Sequence, residues 1–99
     1  MKRASVYTAE HHLLVSMLRD LRLAARIPQA EAAERLQRPQ TYVSAVELGD
    51  RGLDLFQVRE LVVLYGEDFA EFIADFERRL AEGVGPVPER PTRPRRASK

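Results

Sequence analysis

The chain contains no cysteine, which excludes a disulfide framework, a thiolate metal site and a thiol nucleophile. It also lacks a long hydrophobic run. The longest uninterrupted apolar stretch is LVVLY, residues 61–65, far short of the roughly 20 residues of a membrane-spanning helix. The N-terminal MKRASVYTAEHH is basic but no apolar signal core follows it, so export is not expected and the cytoplasm is the expected location. No Ser-His-Asp set has workable spacing, no glycine-rich phosphate loop is present and no metal-ligand cluster stands out. His11 and His12 are adjacent, so they point about 100° apart on a helix and read as surface residues. No catalysis, no metal and no cofactor is therefore expected. Strand-like alternation and internal repeats are missing too, which leaves helical periodicity as the organising pattern.

Ninety-nine residues, 44% of them hydrophobic, suit a single domain with one modest core. The net charge is only +1, but it is unevenly spread. Residues 1–51 carry +2, residues 52–83 carry −5 and residues 84–99 carry +4. That asymmetry suits a polyanion partner for the first half and the tail, and directs it away from the middle.

The pattern predicts five helices. The first runs from an N-cap at Thr8 to about Arg26, with Leu14, Met17, Leu18, Leu21 and Ala25 on one face. Pro28 and Pro39 stand where helix starts tolerate proline, ahead of QAEAAERL and QTYVSAVEL. Gly49 ends the third helix. Asp54 caps LFQVRELVVLY, closed by Gly66, and Asp68 with Glu71 suggests a capping box for Phe69 to Glu82, closed by Gly83. Beyond it, VGPVPERPTRPRRASK holds four prolines and no helical periodicity, so 84–99 is expected to be a flexible tail behind a domain at 1–83.

The third helix is unusual on its outer face. A solvated helix face is normally rich in Lys and Glu, yet Gln40, Thr41, Ser44 and Ala45 are short and uncharged. Val43 and Val46, three apart, form a stripe for burial, with Ile27 and Leu36 beneath it and Ala33 small enough for a close helix crossing.

Two short helices joined by a tight turn, the second with a polar face, form a helix-turn-helix arrangement. With Gln29 opening the second helix, Ala33, TYVS and ExGxR from Glu47 to Arg51, the chain resembles the lambda-repressor-like (XRE, Cro/repressor) family over roughly residues 14–76. The resemblance implies an all-α, five-helix DNA-binding domain. It implies base reading in the major groove by Gln40, Thr41, Ser44 and Ala45, and phosphate contacts from Gln29, Arg38, Tyr42 and Arg51. It also implies a structural salt bridge between Arg22 and Glu47. The chain departs from the family at Arg26 and Gln37, where many members have glycine, so two turns should take a strained or different backbone. It also lacks the Lys or Arg that many members carry at the positions of Ala45 and Leu48.

The expected function is a repressor-type transcriptional regulator that binds double-stranded operator DNA as a homodimer. The interface is expected on the fifth helix at Phe72, Phe76 and Leu80, because that helix looks too long for the first four to cover. A ligand pocket of the usual size does not fit so short a chain. An antitoxin of a toxin–antitoxin operon and an interaction adaptor that has lost DNA binding are the alternative readings, the first with a toxin as protein partner.

Overall fold

In the computed structural model, residues 8–83 are described; the tail expected at 84–99 lies outside them. They form five helices: α1 (Ala9–Ala24), α2 (Gln29–Leu36), α3 (Gln40–Leu48), α4 (Leu55–Leu64) and α5 (Phe69–Glu82). Helix α1 stops two residues before Arg26, because Arg26 takes a left-handed φ of 60°. Gln37 takes the same conformation at the end of α2 (φ 59°, ψ 45°). Both turns are thus made without glycine, at a steric cost of roughly 1–2 kcal/mol per residue.

Thr8 accepts from the His11 N–H, and Asp68 accepts from the Glu71 N–H. A reciprocal capping box forms at α4, where Asp54 and Gln57 each bond the other's backbone N–H. The box expected at Asp68 and Glu71 is completed only on the Asp68 side.

Val15, Met17 and Leu18 from α1, Val43 and Val46 from α3, Val58, Leu61 and Val62 from α4 and Phe72 from α5 share one core. Ala32 and Ala33 are buried, which lets α2 lie close against its neighbours. The buried stripe of α1 runs His11, Val15, Leu18, Arg22, at spacings of four, three and four. Polar residues at both ends of this stripe disguise it in the sequence, and Leu14, Leu21 and Ala25 are only partly buried at its margin.

Phe72 is 2% exposed, Phe69, Ile73 and Phe76 pack against the core, and Leu80 is half-buried. Helices α1 and α4 both pack against α5. Phe72 is thus enclosed by the core, whereas Phe76 and Leu80 keep part of their surface in water.

Candidate nucleic-acid interface

Helices α1, α4 and α5 close their N-termini with their own side chains, but α2 and α3 do not. Each of these two follows a proline, Pro28 or Pro39, which supplies no side-chain acceptor. Their first N–H groups stay open, and the partial positive charge at such an end suits an anion. The first turn of α3 also carries no acidic residue to offset that charge.

Beneath this surface lies a chain of polar contacts. Arg22 donates from Nε to Glu47 Oε2 at 2.5 Å, from Nη2 to Glu47 Oε1 at 3.0 Å and from Nη1 to the Ile27 carbonyl at 2.8 Å. Both side chains are buried. Arg19 reaches the outer edge of the same carboxylate at 4.0 Å. The hydrogen bonds that Arg22 donates to Glu47 hold its guanidinium pKa above its ordinary value against the opposing effect of burial. Beside the pair, burial first and the Glu47 charge second push the Tyr65 hydroxyl up to about 12.

Glu47 then reaches outward. Gln29 Nε2 donates to Glu47 Oε1 at 2.9 Å, and Gln40 Nε2 donates to Gln29 Oε1 at 3.4 Å. An ionised carboxylate only accepts, so Gln29 must turn its amide N–H inward and its oxygen outward. That oxygen in turn draws the Gln40 amino group. Orientation thus passes from a buried ion pair to the exposed first residue of α3.

A second constellation flanks it. Tyr42 is only 7% exposed, and its hydroxyl is shielded without a hydrogen-bond partner. The guanidinium carbons of Arg38 and Arg51 lie 4.6 Å and 4.9 Å from the centre of its ring. Burial raises the Tyr42 pKa, and these two cations oppose the rise. Tyr42 is therefore a platform under two arginines. The spacing of Tyr42, Val43 and Val46 already carried that signal, since residues three and four apart share a helix face.

Arg51 sits on the turn that Gly49 opens with φ 82°. A Cβ there would meet the His12 imidazole at 3.6 Å. His11 is 7% exposed, so it is a core residue and not the surface residue expected. Burial lowers its pKa, His12 lowers it further, and a hydrogen bond to the Arg51 backbone offsets part of this. The α1 N-terminus therefore supports the turn that carries Arg51.

Gln40 and Thr41 are exposed, Ser44 and Ala45 half-buried, all on α3. Gln29 and Arg38 are half-buried and Arg51 is exposed beside them. The outer face is thus short and uncharged at its centre and flanked by two oriented guanidinium groups. Among the described residues no group of three or more His, Cys, Asp or Glu could hold a metal ion, and no helix is long and apolar enough to cross a membrane.

A family model described as a helix-turn-helix domain matches residues 13–72. A solved structure, an XRE-family like protein from Pseudomonas syringae pv. tomato str. DC3000, is similar at 34% identity and a TM-score of 0.69. The match covers 72% of this chain and 87% of that one. The chain belongs to the XRE-type helix-turn-helix family. Curated proteins provide no match. As an XRE-type protein it is a DNA-binding transcription regulator in general terms, and α2 and α3 are the pair that gives the family its name. The network behind them explains why Arg22, Glu47 and Gln29, distant in sequence, belong to one site.

Proposed function

We propose that this XRE-type protein binds double-stranded DNA sequence-specifically, as a repressor-type regulator acting as a homodimer in the cytoplasm. In this reading α3 enters the major groove. The observation that carries it is the uncapped, acid-free N-terminus of α3, with Gln40 and Thr41 exposed between Arg38 and Arg51. Gln40 suits bidentate bonding to adenine, Thr41 and Ser44 offer hydroxyls, and Ala45 suits a thymine methyl. Gln29, Arg38 and Arg51 take phosphates, with Tyr42 as support for the two arginines.

Selection of bound duplexes from a random pool tests this reading. Gln40→Ala should relax preference at one base pair, at a cost of roughly 1–3 kcal/mol. Arg51→Ala should weaken all sequences alike and reduce the salt slope by about one unit. If Gln40→Ala leaves both affinity and preference unchanged, α3 is not the reading helix.

A further inference from the structure

Among the described residues, the most exposed large apolar side chains are not on α5. They are Leu48, Leu55, Phe56, Val63 and Leu23, with Phe56 78% exposed and Leu55 62% exposed. Phe56 and Val63, seven residues apart on α4, share one helix face. They line an open groove with Leu36 and Leu64, bordered by Arg35, Arg38 and Arg59 on one side of the charge balance and Asp54 and Glu60 on the other.

We infer that this α4 groove is where a second copy of the chain docks, so that the dimer forms through Phe56 and Val63 and not through α5. The inference rests on the DNA-binding reading only in taking the protein to act as a pair. Three observations select a second copy as the occupant.

The first is charge. A two-fold contact lays a patch on itself, so a patch of one sign repels its own image. This groove carries both signs. Arg35 is paired with Glu31 within the chain and Arg38 stands 3.9 Å from Glu60, whereas Arg59 has no ion-pair partner among the described residues. Across a two-fold axis Arg59 of one copy can meet Glu60 or Asp54 of the other.

The second is area. A phenylalanine ring can bury roughly 150–250 Å², and Phe56 holds most of its surface in water. Together with Val63, 49% exposed, it supplies apolar surface on the order of a quarter of the ~800 Å² that each partner contributes to a standard interface. The charged border supplies the remainder.

The third is position. Arg38 both borders the groove and stacks on Tyr42 beside Arg51. An interface here adjoins the proposed DNA-facing surface through Arg38.

Sedimentation equilibrium of the full chain over about 1–100 µM, the range of ordinary weak to moderate dimer affinities, tests this. The unaltered chain should be dimeric. Phe56→Glu with Val63→Glu should be monomeric throughout and keep its helical circular dichroism. Arg59→Glu should weaken association at least tenfold, and adding Glu60→Arg in the same chain should restore it, a rescue that loss of folding cannot produce. Leu80→Glu on α5 should leave the dimer intact. A monomer at 100 µM, an unchanged mass for the Phe56 and Val63 variant, no rescue by Glu60→Arg, or a dimer abolished by Leu80→Glu would each overturn the assignment. Binding of the monomeric variant to a random-sequence duplex at low salt separates this from the DNA reading. Retained binding leaves that reading standing, whatever the mass data show. A normal dimer that binds no duplex refutes the DNA reading and leaves the interface intact.

Discussion

Replacing Glu47 by alanine is the perturbation with the largest predicted effect. The carboxylate is buried and accepts from Arg22 at 2.5 Å and 3.0 Å and from Gln29 at 2.9 Å. Without it, Arg22 keeps only the Ile27 carbonyl, 2.8 Å away, and its charge stays in the core uncompensated. Breaking a buried pair from one side costs about 3–5 kcal/mol. A domain spanning residues 8–83 has a total stability of roughly 4–11 kcal/mol at the usual value per residue. The single change therefore removes about a quarter or more of the stability, and lowers Tm by about 12 °C or more at ~4 °C per kcal/mol. Removing both charges, as Arg22→Met with Glu47→Leu, should cost far less than the sum of the single changes, because neither ion is then stranded. Urea denaturation at neutral pH, followed by circular dichroism as a double-mutant cycle, measures this directly. The reasoning is refuted by a loss below about 1 kcal/mol for Glu47→Ala, the range of an exposed pair, or by additive losses in the cycle.

Three further outcomes are expected. Gln37→Gly should stabilise the domain by about 0.5–1 kcal/mol in thermal melts, because relief of the left-handed φ of 59° exceeds the entropy that glycine adds to the unfolded chain. Tyr42→Phe removes a shielded hydroxyl that has no partner, so stability should stay level or rise by up to ~1 kcal/mol. DNA affinity should hold in that variant and fall in Tyr42→Ala, where the platform under Arg38 and Arg51 is lost. His11 has a folded pKa below its ordinary 6.5, so its contribution is fully present above pH 6.5 and is lost as pH falls through the folded value. Melts between pH 7 and pH 5 should show a steeper acid loss in the unaltered chain than in His11→Phe; equal slopes would place the titration elsewhere.

The α2 and α3 boundaries were legible in the sequence because they depend on neighbours along the chain. Pro28 and Pro39 mark two starts, Gly49 marks a stop, and the spacing of Val43 and Val46 selects the buried face. The short uncharged face of α3 was legible for the same reason: a helix places residues three and four apart together whatever surrounds it. The caps at Thr8 and Asp54 are likewise local. What the three-dimensional packing alone decided is how far each apolar stripe is covered. On α5, Phe72 and Phe76 belong to one apolar stripe, and only the approach of α1 and α4 encloses Phe72 in the core while Phe76 packs against it partly buried. On α4, Leu55 and Phe56 stand in a helix dense with apolar residues, yet the same packing leaves them in water while Leu61 and Val62 are enclosed. The link from Glu47 through Gln29 to Gln40 joins residues 18 and 11 apart in sequence, and the stacking of Arg38 and Arg51 on Tyr42 depends on the turn after Gly49. Periodicity states which side chains share a face. Burial is a property of what lies opposite that face, and only the assembled helices determine it.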